Sequence, residues 1–226
     1  MALQYSPRIV TNGLVLCLDA GSRKSYGGTG NVWRDLAGSN NGTLTNGPTF
    51  SNANAGSIVF DGVDDYVQCT FANPFAETII VWARSATTNW NTYGWVSSSR
   101  RQNGHIFHCG LGSRDMGHYI LDSSANYYGI GSYLVDDITI PHMYVMTTNG
   151  SNSHMTYLDN GILKNNFTTS ITRTSSPTSV SWRLGEDDTL GRFGNGNIYS
   201  CLRYNRALSQ SEIQQNYNAT KGRYNL

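Results

Sequence analysis

The sequence contains many short runs of apolar and β-branched residues, each bounded by Gly, Asn, Ser or Asp. Examples are Glu77–Ala83, Gly117–Asp122 and Met143–Thr148. Runs of this length with turn residues between them are typical of strands, and no helical pattern separates them. The pattern therefore predicts an all-β sandwich of two antiparallel sheets. The other predicted strands are Gly13–Asp19, Tyr93–Ser98, Gly104–Gly110, Tyr127–Val135, Val180–Leu184 and Ile198–Tyr204.

Two stretches predict hairpins. In Gly56–Cys69, strand-forming residues flank an Asp-Gly turn at Asp61 and Gly62. Glycine adopts positive φ without steric penalty, and aspartate can accept hydrogen bonds from nearby amides, so both residue types favour tight turns. The second stretch, His154–Lys164, carries Asp-Asn-Gly at its centre. Both patterns are typical of two antiparallel neighbours joined by a short turn.

One α-helix is expected, over Ser209–Lys221. Ser209 and Glu212 have the spacing of a capping box, and Ile213 and Tyr217 fall on one stripe that can face a core. Upstream, residues 20–48 are rich in Gly, Ser, Asn and Thr and predict a long irregular segment. Trp33 in this segment is more easily explained as a side chain that fills the core than as a ring that stacks on a ligand.

Three segments resemble laminin-G-like domains of the concanavalin A-like lectin/glucanase superfamily. They are the Val-Phe-Asp-Gly-Val-Asp-Asp-Tyr-Val stretch ending at Val67, the Trp-Arg-Asp-Leu-Ala-Gly-Ser-Asn-Asn-Gly-Thr-Leu stretch ending at Leu44, and the Arg-Tyr-Asn-Arg-Ala-Leu-Ser-Gln-Ser-Glu-Ile stretch ending at Ile213. They lie far apart, so the resemblance covers most of the chain. It implies a jelly-roll sandwich closed by one short C-terminal helix.

Composition limits the remaining possibilities. The chain has 226 residues, of which only 14% are charged, and a net charge of +1. All-β domains often reach this length, so we expect an arm over residues 1–10 and one domain over residues 11–226. The small net charge gives no basis for nucleic-acid binding. No signal peptide or membrane span is evident. We therefore expect synthesis in a cytoplasm and four free, buried cysteines.

Catalysis is not expected. Glycoside hydrolysis requires two carboxyl groups facing each other across the substrate, and carboxyl side chains on one strand share a face only at even spacing. The sequence has three glutamates, and the one acidic pair that comes close to this spacing, Glu186 and Asp188, lies in a turn-like segment. The acidic motif of related hydrolases is missing. His105 and His108 are three positions apart on a strand, so we expect them to point to opposite faces.

Calcium is the metal to consider. Asp61, Asp64 and Asp65 offer the carboxylate oxygens that calcium prefers. The resemblance adds Asp19 and Asp35, which the family topology places nearby, and several laminin-G-like relatives bind calcium at an edge of the sandwich. The alternative is that these carboxylates cap the turn by accepting hydrogen bonds from backbone amides.

Glycan binding is the non-catalytic function that the resemblance favours. Sugars bind to exposed aromatic rings with polar side chains beside them. The candidate residues lie in two aromatic segments around positions 90 and 130, and each could instead pack in the core. They are Trp90, Tyr93, Trp95, Tyr127 and Tyr128.

The resemblance extends to virion proteins of tailed phages, including those of cyanobacteria, through the segments Gly13–Tyr26 and Tyr204–Tyr224. It implies a structural protein on the particle surface, as a capsid decoration, a head-surface protein or a tail-associated protein. Its partners would be a capsid or tail protein of the same virion and further copies of itself, with a possible host polysaccharide. The alternative is a lectin that attaches to host surface polysaccharide.

Overall fold

A computed structural model describes residues 8–92, 96–99, 102–174, 179–187 and 190–226. Its sixteen strands form two antiparallel sheets packed face to face, so the predicted jelly-roll sandwich is confirmed. The strands are β1 (Leu14–Asp19), β2 (Val32–Trp33), β3 (Gly42–Thr45), β4 (Thr49–Ser51), β5 (Ser57–Asp61), β6 (Tyr66–Ala72), β7 (Glu77–Ser85), β8 (Ser98–Ser99), β9 (His105–Cys109), β10 (Asp115–Leu121), β11 (Tyr127–Leu134), β12 (His142–Thr148), β13 (His154–Leu158), β14 (Ile162–Phe167), β15 (Ser179–Leu184) and β16 (Asn195–Tyr204).

The first sheet has the order β14-β13-β12-β7-β16-β5-β4, and β1 pairs with the C-terminal half of β16. The second sheet has the order β11-β10-β9-β8-β15-β6-β3-β2. The hairpin predicted around Asp159-Asn160-Gly161 is confirmed, since β13 and β14 pair across it. β11 lies against β14, so these two edges of the sandwich meet.

The hairpin predicted over Gly56–Cys69 is wrong. β5 pairs with β4 and β16 in the first sheet, whereas β6 pairs with β3 and β15 in the second. The Asp-Gly turn is therefore an arch between the sheets. Each strand sends apolar side chains into the same core from opposite sides, for example Phe60 and Val67. An arch and a hairpin require the same alternating pattern, so the local sequence does not distinguish them.

Residues 20–48 are less irregular than expected, because β2 and β3 form the edge of the second sheet. Trp33 is fully buried in the main core, as predicted. The four cysteines are free and buried, also as predicted. Among the described residues there is no helix with the length and hydrophobicity that crossing a bilayer requires.

The helix α1 (Gln210–Thr220) begins with the predicted capping box, in which Ser209 and Glu212 bond to each other's backbone amides. Ile213 is fully buried in a second apolar cluster outside the first sheet, and Tyr217 packs against that cluster. The indole of Trp82 on β7 stacks on Tyr217 and donates to the Thr220 hydroxyl at 3.0 Å. The helix therefore covers the outer face of the first sheet.

The described residues before β1 dock on this helix, and residues 8–10 do not form a strand. The Val10 amide donates to Asn216 Oδ1 at 2.8 Å, and the Val10 carbonyl accepts from the Tyr204 hydroxyl at 2.9 Å. Val10 is buried in the second cluster. The boundary placed at residue 10 stays a prediction.

Candidate functional site

The outer face of the second sheet is the open face of the sandwich, because α1 covers the other sheet. At β9 the pleat sends Phe107 and Cys109 into the core and leaves Ile106 and His108 on the outer side. On β10, Tyr119 lies directly opposite Ile106 and therefore shares that side. In the described part of the chain, no helix lies over β9, β10 and β11.

A groove with aromatic walls crosses these three strands, and we call it the aromatic groove. The rings of His108 and Tyr119 meet edge to face with centroids 5.2 Å apart, and those of Tyr119 and Tyr127 meet in the same way at 6.5 Å. Ile106 is buried beneath them, and Arg192 forms the rim. The depression has a volume of about 350 Å³.

Glycines extend the groove along the sheet. Gly129 lies opposite Tyr119, and a Cβ atom there would approach the tyrosine ring to 3.2 Å. Glycine at this position therefore gives the Tyr119 ring room to lie across β11. A second depression of about 310 Å³ continues on the other side of Tyr119, with Gly117, Gly131 and Ser132 in its lining. The result is a row of aromatic rings beside a stretch of backbone that the glycines leave uncovered by side chains.

Asp122 fixes the turn that carries Tyr127. Its carboxylate accepts from the amides of Ser124 and Asn126, from the Asn126 side chain at 2.9 Å and from the Tyr128 hydroxyl at 3.2 Å. Burial alone would raise the pKa of Asp122, but these hydrogen bonds outweigh it and lower the pKa below its usual value. The carboxylate thus stays charged and holds the start of β11 in place.

The structure separates the predicted sugar-binding residues. Tyr127 lies in the aromatic groove with half of its surface, 50%, exposed. Tyr128 is next to it in sequence but packs toward the main core, so it does not line the groove. Trp90 is only 1% exposed and meets Tyr144 in the core, which makes it unsuitable as a stacking surface. Tyr93 and Trp95 lie outside the described residues.

Three residues of the groove are not among the predicted sugar-binding residues: His108, Tyr119 and Arg192. The period-2 pattern of β9 indicated that Ile106 and His108 share a face. It could not indicate that this face is open, because that depends on which sheet the helix covers. Arg192 comes from the loop before β16, and nothing in the local sequence connects it with β9 or β11.

The three aspartates of the arch do come together, with one carboxylate oxygen of each within 4.8 Å of the others. Asp65 Oδ2 accepts from the Asp61 amide at 3.0 Å, and Asp61 Oδ1 accepts from the Val63 amide at 2.8 Å. Burial raises the pKa of Asp65, and the charges of Asp61 and Asp64 act in the same direction. These are the hydrogen bonds expected if the carboxylates cap the turn and bind no calcium. Three carboxylates supply only part of the roughly six to eight oxygens that calcium takes.

The expectation that Asp19 and Asp35 lie near this cluster is wrong. Asp19 pairs with Arg223 at 2.6 Å, and Asp35 accepts from the amides of Cys17, Ala37 and Asn40. Each carboxylate is therefore engaged in local structure elsewhere on the sandwich.

Calcium binding at the arch stays a prediction that a chelator can test. If the ion binds, adding EDTA should lower the melting temperature, because a ligand that binds only the folded state stabilises it. Asp64→Asn should abolish that difference without lowering the melting temperature of the chelated protein. Unchanged melting with and without chelator would leave turn capping as the role of these carboxylates.

All three glutamates are held in ion pairs with arginines. Glu77 meets Arg173 and Arg203, Glu186 meets Arg183, and Glu212 meets Arg206. Asp188, which was considered together with Glu186, lies outside the described residues. Among the described residues that line the two depressions of the groove, none is a carboxylate.

No family model and no curated protein matches the chain. Solved structures do match in fold. The binding domain of Paraclostridial Mosquitocidal Protein 1 has a TM-score of 0.72 and 16% identity, over 92% of this chain and 52% of that one. Domain 4 of AbnA, an extracellular GH43 arabinanase of Geobacillus stearothermophilus, has a TM-score of 0.64 and 14% identity, over 90% of this chain and 98% of that one.

A third match is the sialidase of Trypanosoma rangeli in complex with sialic acid, with a TM-score of 0.66 and 14% identity. The chain covers 36% of the sialidase's length and about half of the toxin binding domain's, 52%. Identities this low establish the architecture alone. In architecture, the chain is a jelly-roll sandwich of two antiparallel sheets.

Proposed function

We propose that the chain is a non-catalytic module that binds a glycan in the aromatic groove. The observation that carries this proposal is the row of His108, Tyr119 and Tyr127 on the uncovered face of the second sheet. Aromatic rings offer apolar faces to the C–H groups of a sugar. The polar atoms of the imidazole and phenol groups, together with the nearby guanidinium, can form hydrogen bonds with its hydroxyls. The glycine floor lets an extended chain of sugars lie close to the sheet.

Two further findings support this proposal. Structures of similar fold include domain 4 of the arabinanase in complex with arabinotriose and a sialidase in complex with sialic acid. In this chain the described lining of the groove offers arginine and histidine but no pair of carboxyl groups, which glycoside hydrolysis requires. Binding without hydrolysis is therefore the function that the groove supports best.

A panel of immobilised polysaccharides tests this function. We expect the chain to be retained by at least one member of a panel containing arabinan, dextran, chitin and sialylated glycans. We also expect no release of reducing ends from the retained polysaccharide over a long incubation. Retention by none of them would contradict the binding function, and reducing-end release that disappears in a Glu186→Gln variant would contradict its non-catalytic character.

The resemblance to virion proteins supports a place for this module on a phage particle. On this proposal the chain stands on the capsid or tail, contacts a capsid or tail protein, and presents the groove to host polysaccharide. Residues 8–10 dock on α1 through Gln215 and Asn216, so a preceding arm would leave the domain from a fixed point. Imaging of purified particles with a labelled antibody tests this placement, and particles without the protein would favour the free lectin.

A further inference from the structure

A second pocket lies at the opposite edge of the sandwich from the aromatic groove. It is formed where the loop after β1 meets β4 and the turn that follows β4, and we call it the β4-edge pocket. β4 is the last strand of the first sheet, whereas the groove ends at β11, whose edge meets β14 at the other side. The pocket has a volume of about 240 Å³, and its main side chains are Arg23, Tyr26, Phe50 and Asn52.

The back wall of the pocket is built from backbone in close contact. A Cβ atom on Gly21 would collide with the carbonyl oxygen of Ala55, and one on Gly56 would lie 2.9 Å from the Gly21 Cα atom. Asn54, Ala55 and Gly56 have φ angles of 49°, 64° and 102°, so three consecutive residues take positive φ. Such a conformation is unfavourable for alanine, and strained backbone of this kind concentrates at functional sites.

One wall of the pocket is aromatic. The rings of Tyr26 and Phe50 lie 5.5 Å apart, tilted by 46°, and Phe50 is half-buried. The Tyr26 hydroxyl donates to the Gly30 carbonyl at 2.7 Å, which fixes the ring. Gly28 lies beside Phe50 and takes positive φ. Phe50 therefore presents part of an apolar ring to a ligand, and the fixed ring of Tyr26 supports it.

The charge of the pocket is positive. Arg23 is the only charged residue among the described residues of its lining, and it is exposed and forms no ion pair within the described chain. The other arginine nearby, Arg223, lies behind Gly21 and is matched by Asp19 at 2.6 Å. Asn52 is also exposed at the rim, where its side chain makes no capping bond.

We propose that the β4-edge pocket binds the carboxylate-bearing ring of an acidic sugar, a uronic acid unit. Its ring would lie on Phe50, its carboxylate would pair with Arg23, and a hydroxyl would bond to Asn52. An arginine guanidinium recognises a carboxylate through two parallel hydrogen bonds, which a lysine cannot reproduce. The size of the pocket suits one such ring. This inference does not rest on the function of the aromatic groove.

The test is a titration of the full chain carrying Tyr119→Ala, so that the groove does not contribute. The probes are D-galacturonic acid and its neutral counterpart D-galactose, followed by calorimetry or ligand-observed NMR. We expect galacturonic acid to bind about tenfold more tightly than galactose, the factor that one charge-assisted bond supplies. Arg23→Gln should remove that preference, and Phe50→Leu should weaken the binding of both sugars.

Lys24→Gln is the matched control, because Lys24 is the neighbouring exposed cation and does not line the pocket. It should change the galacturonic acid affinity less than twofold. Equal losses in the Arg23 and Lys24 variants would show general attraction to surface charge and overturn the proposal. So would equal affinity for the two sugars, or no saturable binding of galacturonic acid, in a variant that melts like the parent chain.

Discussion

Replacing Glu77 with glutamine should lower the free energy of unfolding by about 3–5 kcal/mol, the range found when a buried ion pair loses one partner. Glu77 is fully buried between two arginines, with Oε1 2.7 Å from Arg173 and Oε2 2.7 Å from Arg203. Arg203 lies between the sheets, over the ring of Phe71 at 4.4 Å, and donates to Asn73 at 2.8 Å. Glutamine would leave two buried cations without a counter-charge.

The same network predicts how stability depends on pH. Burial alone would raise the pKa of Glu77, but the charges of Arg203 and Arg173 outweigh burial and lower the pKa from 4.5 to about 2. A carboxyl group with a lowered pKa in the folded state stabilises the fold fully above its unfolded pKa. That contribution is lost as the pH falls from about 4.5 to about 2.

Urea unfolding at pH 7 and at several values below pH 4.5 measures both effects. The parent chain should lose stability through this window, and Glu77→Gln should start lower and show a weaker dependence on pH. Glu212→Gln is the matched control, because its pair with Arg206 lies partly exposed at the helix cap. Its cost should be at most about 1 kcal/mol, typical of a partly exposed ion pair, because glutamine can still accept the Ser209 amide hydrogen bond. Equal losses in the two variants would contradict the role given to Glu77.

Local patterns identified the elements but not their partners. The helix could be predicted from Ser209, Glu212 and the apolar stripe through Ile213 alone, because the residues of a capping box lie within one turn of each other. The arch at Asp61–Asp65 was mistaken for a hairpin, since the choice depends on pairing with β15 and β16, more than a hundred residues further along the chain. Strand pairing across so large a sequence separation cannot be recognised from the local alternation of apolar and polar residues.

The candidate site was predicted only in part, for the same reason. Tyr127 was found because an aromatic run follows a turn. Its neighbours His108 and Tyr119 meet it only through the register of three strands, and Arg192 reaches them from a separate loop. Trp90 was placed wrongly, because a polar sequence around a tryptophan indicates exposure whereas the ring packs against Tyr144.

Tyr119→Ala should weaken glycan binding more than any other single change in the groove. Tyr119 is the central ring, in contact with both His108 and Tyr127, and it separates the two depressions. Central aromatic residues of binding sites contribute about 2 kcal/mol or more, which corresponds to roughly thirtyfold in affinity. The ring is half-buried on the outer side of β10 and outside both apolar clusters, so its removal should leave the fold intact.

Tyr128→Phe is the matched control for this change. Tyr128 is also an aromatic residue of the same sheet, but it packs toward the core and its hydroxyl bonds to Asp122 at 3.2 Å. The substitution keeps the ring and removes that one hydrogen bond, at a cost of about 1 kcal/mol in stability. Because the ring lies away from the groove, affinity for the glycan should stay within about twofold of the parent value.

Titration of the best-retained polysaccharide of the panel against the parent chain, Tyr119→Ala and Tyr128→Phe tests the central proposal most directly. The expected result is an affinity about thirtyfold lower for Tyr119→Ala and almost unchanged for Tyr128→Phe, with all three proteins folded. Undiminished binding by folded Tyr119→Ala would contradict the proposal that the aromatic groove is the glycan site.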